Sequence, residues 1–426
     1  MNAKQLDLSI VAGHAVECFD ATLYGFYAVW LAPYFFPPET PQLLLSFGAF
    51  AAGFLVRPLG ALCFGFLGDR FGRKKPLTLA MALVGIPTLI MGLIPSYHAI
   101  GIWSPILLYF CRAAQGFFYG AEFAGVSVYT YENYKDSGRA GRQTGLLLAA
   151  GYLGAVLATL SGVFLPINPL ASQLWRAPFV VGGVAAFVVF FMRKCMKETP
   201  DFERARSEKT LVFSPTKELW RYRREVLMAL VVVGTNTVAL YMVTVFGNQL
   251  FKKFGYSASQ SMLLNMSTLV LYACMNALYG RWVDRFGARN FVLSGSLWIV
   301  GMAFPGFYVL TSYPSLMGIY GFMLLMSIGN AMVVVASMLY ISSFFPTHCR
   351  FSAVALSSTL GYALIGGSTP AVAHYLQSVT SCAVAPAFWL VATSGMALVC
   401  IVWIEHKKKK CEGDKIVSPL DFVTTD

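Results

Sequence analysis

The segment Gly65-Phe-Leu-Gly-Asp69-Arg70-Phe-Gly72-Arg73-Lys74 is the most informative part of the sequence, because a degraded copy of it occurs later in the chain. The copy reads Gly280-Arg-Trp-Val-Asp284-Arg285-Phe-Gly287-Ala-Arg289, and the two aspartates are 284 − 69 = 215 positions apart. Each copy follows the second long apolar run of its half of the chain. A repeat at this spacing indicates a chain built from two related halves.

The composition indicates an integral membrane protein. Of 426 residues, 57% are hydrophobic and 12% charged, and the mean hydropathy is +0.62, far from the averages of soluble domains. Apolar runs of about 18 residues or more recur along the chain, and each can cross about 30 Å of hydrocarbon as a helix. The runs predict twelve transmembrane helices, near residues 8–36, 42–68, 76–95, 101–133, 141–166, 174–193, 224–251, 258–282, 290–312, 314–345, 351–380 and 385–404.

A basic segment divides these helices six and six. Residues 193–224 carry ten Lys and Arg residues, and with both termini on the side of this segment, 27 of the 32 basic residues fall on that side. Because basic residues dominate cytoplasmic loops, we expect both termini in the cytoplasm and no nucleic-acid partner despite the net charge of +12. The boundaries expected are 1–193 for the N-terminal half, 194–223 for a linker, 224–404 for the C-terminal half and 405–426 for a tail.

The sequence carries none of the common motifs of catalysis or cofactor binding. Nine Cys residues are scattered singly, without a CxxC pair or zinc spacing. There is no Walker loop, so ATP is not expected as the energy source. The rival class, an intramembrane enzyme, would be expected to show HExxH, Gly-x-Ser-x-Gly or a metal cluster, and the sequence has none of these. We therefore expect no cofactor, no metal site and no enzymatic activity.

The repeated loops resemble the signature loop of the major facilitator superfamily, G-x-L-x-D-R-x-G-R-[RK]. The first copy matches well, and Ala288 and Asn290 replace basic positions in the second. Other stretches resemble the metabolite:proton symporter family, whose members carry carboxylates, proline, betaines or related solutes. These stretches are Glu17-Cys-Phe-Asp20, Tyr24-Gly-Phe, Phe54-Leu-Val-Arg57-Pro-Leu-Gly, Leu93-Ile-Pro-Ser-Tyr97, Gly101-Ile-Trp-Ser-Pro105, Arg112-Ala-Ala-Gln-Gly-Phe, Trp175-Arg-Ala-Pro-Phe179, Glu198-Thr-Pro200 and Phe345-Pro-Thr-His-Cys-Arg350.

The resemblance implies an all-α integral membrane protein with the major facilitator fold: twelve transmembrane helices in two pseudo-symmetric six-helix halves around a midplane cavity. It also implies proton-coupled import of a small metabolite by alternating access, across the inner membrane of a bacterium. The partners would be the substrate, protons and the lipid bilayer, and a monomer is expected. The chain departs from the family pattern at Cys18, Ala21 and Tyr119-Gly-Ala-Glu122, all on predicted cavity helices.

Five ionisable residues lie inside predicted transmembrane helices: Glu17, Asp20, Arg57, Arg112 and Glu122. Each costs about 2.5–3.5 kcal/mol or more at a helix centre, so a carrier that keeps them needs a use for them. We predict that Asp20, Arg112, Glu122 and Glu17 couple proton binding to transport. The alternative is a fixed pair that pins helix 1 to helix 4.

Helical spacing places these groups on two facing stripes. Asp20 and Tyr24 share a face of helix 1, and Arg112, Gln115 and Tyr119 share a face of helix 4. In the superfamily these helices pack together at the cavity, which would let Arg112 hold Asp20 or Glu17 as a charge pair. A carboxylate beside a guanidinium stays ionised, whereas in a dry environment it takes a proton.

The substrate contacts predicted are polar side chains on the cavity helices. Arg57 could bind a substrate carboxylate, or it could satisfy the carbonyl freed by Pro58 or a neighbouring helix end. The intramembrane part of the second half has no charged residue, and its neutral polar groups either recognise substrate or join helices. The predicted contacts are Tyr24, Arg57, Gln115, Tyr119, Asn236, Tyr241 and Thr244.

The signature loops are predicted to be gates. An aspartate there can cap a neighbouring helix N-terminus, while basic side chains pair with acidic groups across the seam between the halves. Glu132 and Glu198 are plausible acidic partners, and His14, one turn before Glu17, could join a proton path. The predicted gating residues are Asp69, Arg70, Arg73, Lys74, Asp284 and Arg285.

Substrate identity is the least determined property. Dicarboxylates, tricarboxylates, proline and betaines all present a carboxylate to an arginine. The two intramembrane arginines favour an organic acid, and a proline- or betaine-type zwitterion is the alternative. Export or exchange remains open as the direction of transport.

Overall fold

The computed structural model describes residues 7–163, 173–211 and 215–413 of the chain. Long helices fill these ranges and confirm the twelve that the sequence predicts, although the predicted end of helix 5 at 166 and the tail beyond 413 lie outside the described residues. Only the long helices are numbered here. They are α1 (Leu8–Phe35), α2 (Gln42–Phe71), α3 (Lys74–Leu93), α4 (Trp103–Tyr134), α5 (Ala140–Val163), α6 (Arg176–Lys194), α7 (Arg223–Lys253), α8 (Ala258–Phe286), α9 (Ala288–Ser312), α10 (Leu316–Ser342), α11 (Thr347–Thr380) and α12 (Ala387–Gly413).

Ten of the described helices are long and apolar enough to cross a membrane. The other two long helices, α1 and α4, have 28 and 32 residues and carry most of the intramembrane charges. Large apolar side chains such as Leu55, Phe110 and Val399 are exposed on the outer surface of the bundle, as expected where a surface faces hydrocarbon. The chain is therefore a multi-pass membrane protein.

Helix contacts repeat between the two halves of the chain. In the first half α1 packs on α5, α2 on α4 and α3 on α6; in the second half α7 packs on α11, α8 on α10 and α9 on α12. The halves meet where α2 packs on α11 and where α5 packs on α8, and a shift of six helices exchanges these two contacts. This pattern confirms the two pseudo-symmetric six-helix halves.

Glycines allow the helices of the two halves to approach closely. A Cβ atom on Gly280 of α8 would lie 2.6 Å from the Gly141 carbonyl oxygen and 3.1 Å from the Gly145 Cα atom of α5. At the other contact, between α2 and α11, a Cβ atom on Gly65 would lie 2.6 Å from the Ser352 Cα atom, which is too close for a side chain. Side chains at these positions would push the halves apart at the end of the bundle that carries the repeated loops.

The loops that follow the even-numbered helices, from α2–α3 to α10–α11, lie together at this end of the bundle. We call this end the basic face because it carries most of the Lys and Arg residues. The segment predicted as a linker, 194–223, contains two short helices, Pro200–Ser207 and Pro215–Arg221. Helix α12 continues to Gly413, past the boundary predicted at 404.

Two helices of the second half contain a π turn near the centre of the bundle, Met242–Phe246 in α7 and Gly361–Gly366 in α11. Such turns recur at functional sites because they re-aim neighbouring side chains. The α11 turn carries Tyr362, whose ring centroid lies 5.5 Å from that of Phe123 on α4 of the first half. The centre of the bundle therefore brings aromatic side chains of both halves into contact.

Candidate transport site

Asp20 is buried in the middle of α1 and joins three helices of the first half. Its Oδ2 atom accepts hydrogen bonds from Thr88 Oγ1 on α3 at 2.9 Å, from Gln115 Nε2 on α4 at 2.7 Å and from the Tyr119 hydroxyl on α4. Its Oδ1 atom has no hydrogen-bond partner among the described residues. The carboxylate is therefore held firmly through one oxygen, while the other oxygen is free to take a proton.

Arg112 reaches this carboxylate only through Gln115. Its Nη1 atom donates to Gln115 Oε1 at 2.8 Å, and the same amide donates onward to Asp20. The guanidinium carbon lies 4.5 Å from the centroid of the Tyr24 ring. The direct ion pair predicted between Arg112 and a carboxylate of α1 is absent among the described residues. Gln115 replaces it because an amide both accepts and donates, and its spacing of three residues puts it beside Arg112 on the helix.

Glu17 and His14 form a second polar pair on α1. His14 Nδ1 lies 3.0 Å from Glu17 Oε2, and the Cys18 sulfur lies 3.8 Å from His14 Nε2. Both Glu17 and His14 are buried, and Glu17 is within electrostatic reach of Arg57 and Glu122. This pair is thus a protonatable group distinct from Asp20, with a cation on a neighbouring helix.

Arg57 of α2 is half-buried, and the described residues provide no hydrogen bond or ion pair for its guanidinium; its buried Nε atom is unpartnered. The guanidinium carbon lies 4.2 Å from the centroid of the Phe54 ring and 5.4 Å from that of Tyr119. Tyr241 of α7, in the other half, is close enough to interact electrostatically with Arg57. The alternative that Arg57 satisfies the carbonyl freed by Pro58 has no supporting hydrogen bond in the described part of the chain.

Glu122 lies in a different environment from the other predicted coupling residues. Its two carboxylate oxygens accept hydrogen bonds from both terminal nitrogens of Arg193 on α6, and the Oε2 contact is 2.8 Å. Arg193 Nη1 also donates to the Leu77 carbonyl oxygen at 2.8 Å, and both charged side chains are fully buried. In the sequence Arg193 lies at the edge of the basic linker. Nothing in the sequence distinguished it from the neighbouring basic residues, although its side chain is buried. The geometry of Glu122 is that of a structural clamp.

Besides Gln115 and Tyr119, which bind Asp20, three more of the predicted substrate contacts form hydrogen bonds with the protein itself. Hydroxyl and amide groups often join helices in this way inside a membrane. Tyr241, by contrast, is within electrostatic reach of Arg57 and Tyr362. The three bonds run from the Tyr24 hydroxyl to the Ser46 carbonyl oxygen at 3.1 Å, from Asn236 Nδ2 to Ser337 Oγ at 2.7 Å and from Thr244 Oγ1 to the Leu240 carbonyl oxygen at 2.8 Å.

At the basic face, Asp69 joins the two halves. It is buried at the end of α2 and accepts the backbone N–H groups of Phe351 at 3.0 Å and Ser352 at 2.9 Å, in the first turns of α11. Arg73 Nη1 lies 3.5 Å from Asp69 Oδ1. A carboxylate at a helix N-terminus is stabilised by the helix dipole, so this contact favours the state in which the basic face is closed.

The second copy of the repeat makes the equivalent contact in the opposite direction. Asp284, at the end of α8, accepts the backbone N–H groups of Gly141 at 2.5 Å and Arg142 at 2.8 Å, in the first turn of α5. Asp284 is half-buried, whereas Asp69 is fully buried. We call these two contacts, Asp69 with α11 and Asp284 with α5, the crossings between the halves. The crossings are related by the pseudo-symmetry, and the Asp69 crossing lies in the drier environment.

A buried ion network surrounds the first crossing. Arg73 donates from Nε and Nη2 to Glu132 at 3.0 and 2.9 Å, and from Nη2 to the Thr347 carbonyl oxygen of α11 at 2.6 Å. Arg350 Nη1 donates to Glu132 Oε1 at 2.7 Å and to Asp201 Oδ2 at 2.9 Å. The sequence analysis named Glu132 as a possible acidic partner but assigned no role to Arg350 or Asp201. Arg350 was noted only as the last residue of the family motif Phe345-Pro-Thr-His-Cys-Arg350, and no sequence pattern pointed to Asp201.

Three other predicted gating residues make contacts of a different kind. Arg70 places its guanidinium 5.3 Å from the centroid of the Phe71 ring, and the exposed Arg285 lies 5.4 Å from that of Phe286. Lys74 contributes its backbone N–H, which donates to Glu198 Oε2 at 3.2 Å. The Arg73 side chain contacts the opposite half through the Thr347 carbonyl oxygen. The gating roles themselves remain predictions.

Comparison with known proteins agrees with this architecture. The sequence profile of the Major Facilitator Superfamily matches residues 10–251 and again residues 230–424. The chain is 32% identical to the proline/betaine transporter of Escherichia coli K12 over 91% of this chain and 80% of that protein. It is 30% identical to the citrate-proton symporter of Klebsiella pneumoniae over 93% and 91%.

Solved structures show the same fold at lower identity. The proton:xylose symporter XylE, bound to 6-bromo-6-deoxy-D-glucose, superposes with a TM-score of 0.74 at 15% identity and covers 94% of each chain. The human organic anion transporter MFSD10 superposes with a TM-score of 0.64 at 18% identity, covering 93% of this chain and 98% of that one. The chain belongs to the major facilitator superfamily, and its relatives make it a transporter of the metabolite:proton symporter type.

The Glu122–Arg193 clamp predicts a loss of stability when it is broken. Glu122→Gln leaves a buried guanidinium without its counter-charge, which costs about 3–5 kcal/mol. We expect a clearly lower unfolding temperature in detergent. The matched control is Glu405→Gln, because Glu405 pairs at 3.6 Å with a half-exposed Arg289 and such pairs contribute about 0–1 kcal/mol. If Glu122→Gln unfolds at the same temperature as the control but loses proton-driven uptake, the result supports the predicted coupling role of Glu122 instead.

The crossings at the basic face predict a kinetic defect. Asp69→Asn removes the charge at the α11 N-terminus, which is worth about 1–2 kcal/mol when partly buried and corresponds to about 5- to 30-fold in a two-state equilibrium. We expect transport to slow while equilibrium substrate affinity stays near wild type. Asp284→Asn should have a weaker effect because its site is more hydrated. A large loss of equilibrium binding in Asp69→Asn would contradict the gating role.

Proposed function

We propose that this transporter imports a small carboxylate-bearing metabolite together with a proton, and that Arg57 binds the carboxylate. The observation that carries this proposal is the Arg57 guanidinium, which is half-buried and lacks a hydrogen-bond or ion-pair partner in the described part of the chain. A guanidinium in a membrane interior needs an anion. Its planar fork matches the geometry of a carboxylate.

The position of Arg57 suits a ligand that both halves must reach. It lies on α2 of the first half, near Tyr241 on α7 of the second half. Ligands of transporters built from repeats bind near the midplane between the repeats. A carboxylate bound here would contact both halves, so its binding would depend on their relative position.

Proton coupling is assigned to the carboxylates of α1. Asp20 keeps one unpartnered oxygen in a buried network, so a proton can bind there without breaking its three hydrogen bonds. Glu17 lies within reach of the charge of Arg57. An anion on Arg57 would offset that positive charge and so favour protonation of Glu17. Proton and substrate would then bind together, which is the requirement for symport.

Orientation follows from the charge distribution. The basic face carries most Lys and Arg residues, and such loops stay on the cytoplasmic side. We therefore place the basic face and both termini in the cytoplasm, with the protein acting as a monomer in a bacterial inner membrane. In this orientation the crossings at Asp69 and Asp284 close the cytoplasmic side.

A proline- or betaine-type zwitterion is the second candidate. Aromatic rings line the centre of the bundle: Tyr152 and Tyr272 stack with centroids 5.3 Å apart, and Phe123 contacts Tyr362. Ring faces attract quaternary ammonium groups, and several relatives are named proline/betaine transporters. A zwitterion would use Arg57 for its carboxylate and a ring for its cation.

Arg57→Lys should weaken the binding of carboxylate ligands. An ammonium cannot reproduce the two parallel hydrogen bonds of the fork, and a charge-assisted bond is worth about 1.5–3 kcal/mol, or about 10- to 150-fold in affinity. The measurement is thermal shift and calorimetry of purified protein against organic acids, proline and betaine. Arg224→Lys, the same change at an exposed position, is the control. Unchanged affinity in Arg57→Lys would assign Arg57 a structural role, and no binding of any carboxylate would reject the substrate class.

Asp20→Asn should separate exchange from accumulation. The amide mimics a protonated carboxyl and can keep accepting from Thr88, Gln115 and Tyr119 through its oxygen. We expect the variant to exchange labelled substrate across proteoliposomes at a substantial rate, yet to fail to accumulate it against a gradient. Arg112→Ala should lose both activities, since it also releases Gln115. Concentrative uptake by Asp20→Asn at the wild-type rate would place the transported proton elsewhere, with Glu17 the next residue to test.

A further inference from the structure

A cavity of about 540 Å³ lies between α7 and α11 at the end of the bundle opposite the basic face, which we call the outer face. Five of its six lining residues are exposed, so the cavity is open to the outside of the bundle. None of the six belongs to the transport site described above. The lining residues are Gln249, Pro370, Ala371, His374, Tyr375 and Ser378.

Two lysines border this cavity at the end of α7. Lys252 and Lys253 come three and four positions after the lining residue Gln249, which is about one helical turn. Lys253 Nζ lies 3.4 Å from Gln377 Oε1 on α11, next to the lining residue Ser378. Both lysines are exposed, and the described residues provide no ion pair for either of them. We call Lys252 and Lys253 the lysine pair.

The lysine pair is an exception to the charge distribution of the chain. Basic residues of membrane proteins concentrate in cytoplasmic loops, and the other basic residue of the outer loops is Arg176. Arg176 has a structural use, because it donates to the Gly92 and Ile94 carbonyl oxygens at the end of α3, at 2.6 and 3.1 Å. The positive charge of the lysine pair is not used in this way.

No acidic residue offsets these charges at the outer face of the second half. Within residues 224–405 the acidic side chains are Glu225, Asp284 and Glu405, at the basic-face ends of α7, α8 and α12. The cavity wall contributes an amide, an imidazole, a phenol and a hydroxyl, which can donate hydrogen bonds. Neutral donors beside two ammonium charges match the chemistry of a small anion.

The cavity lies on the face of α7 that leads to the centre of the bundle. Residues seven apart share a face of a regular α-helix, and the π turn Met242–Phe246 adds one residue to that spacing. Gln249, eight positions after Tyr241, therefore lies on the same face and about 12 Å further out. Tyr241 is within electrostatic reach of Arg57. A solute that moves inward along this face of α7 thus approaches Arg57.

We infer that the cavity and the lysine pair form an outer docking site for small carboxylate anions on the import route. The inference rests on the proposed function and adds a step before Arg57. The two ammonium charges raise the local concentration of anions at the outer face and speed their association. This attraction depends on net charge and fades with salt. It favours di- and tricarboxylates over monocarboxylates and has little effect on a zwitterion.

Acetylation of the lysine pair measures occupancy of the outer docking site. Purified, full-length protein is treated with N-acetoxysuccinimide in the presence of citrate, succinate or proline, and mass spectrometry follows each lysine. We expect citrate at about five times its dissociation constant to slow labelling of Lys252 and Lys253 about sixfold. Proline should protect little, and salt at about 0.5 M should remove the protection. Lys209, exposed on the linker, should label at the same rate throughout.

Two variants test the charge and the cavity separately. Lys252→Gln combined with Lys253→Gln removes the charge, and Ala371→Trp fills the cavity while keeping both lysines. Uptake into proteoliposomes is measured with citrate, succinate and butyrate. For the acids that the wild type transports, both variants should raise KM, by about fivefold for the lysine pair, and leave Vmax unchanged. Lys209→Gln combined with Lys217→Gln, which removes two exposed lysines of the linker, is the matched control.

The outcomes separate this inference from the proposed function. Arg57→Lys should weaken carboxylate transport yet keep citrate protection of the lysine pair; loss of protection in that variant would show that the lysines respond to the inner site, and the inference is overturned while the function stands. Absence of protection in the wild type has the same consequence. So does protection by phosphatidylglycerol in mixed micelles that citrate cannot displace, because the lysines then bind lipid headgroups. If the wild type transports none of the acids, the proposed function fails and the site has no role in import.

Discussion

The hydrocarbon around the helices offers no hydrogen bonds, and this constraint decides where almost every polar side chain in the bundle lies. A buried polar group without a partner costs about 1–3 kcal/mol, and a buried charge without one costs more. Glu122 accordingly takes both terminal nitrogens of Arg193, and Asp69 takes two backbone N–H groups of α11. Arg57 differs from these charged groups, because the described residues provide no hydrogen bond or ion pair for its guanidinium. In the proposed function, the carboxylate of the substrate would supply that partner.

The two halves share a scaffold but divide the chemistry. The crossings of α2 with α11 and of α8 with α5 use the same aspartate and the same close packing at glycine, so each half closes on the other in the same way. The intramembrane charges, however, all lie in the first half, and the second half offers neutral groups. In the proposed function, a charged anchor in the first half and neutral polar groups in the second would let a single ligand contact both halves. Only one half then carries the cost of charges within the membrane.

Sequence alone predicted the scaffold well, because scaffold signals are local. Apolar runs located the twelve helices, and the repeat around Asp69 and Asp284 gave the pseudo-symmetry. The partners of the charges depended on three-dimensional packing, which periodicity does not encode. Arg193 was one of ten basic residues in a polar segment, and nothing in its neighbourhood marked it as the one that pairs with Glu122. Likewise, spacing put Arg112 and Asp20 on facing stripes, but the placing of Gln115 between them required the actual distance between α1 and α4.

Helix α1 carries both carboxylates assigned to the proton, and they lie in different surroundings. A separation of three residues turns the side chains about 300° around the helix, so Glu17 and Asp20 point about 60° apart. The partners of Asp20 all belong to the first half, so a movement of one half against the other leaves its hydrogen bonds intact and alters only its access to water. Glu17 is within electrostatic reach of Arg57 and of Tyr362 in the second half. In the proposed cycle its surroundings would therefore change both when an anion binds and when the halves separate. In the proposed cycle the protonation of Glu17 depends on whether substrate is bound, and that of Asp20 depends on which side of the bundle is open to water. Helix α1 couples the two because both residues belong to it.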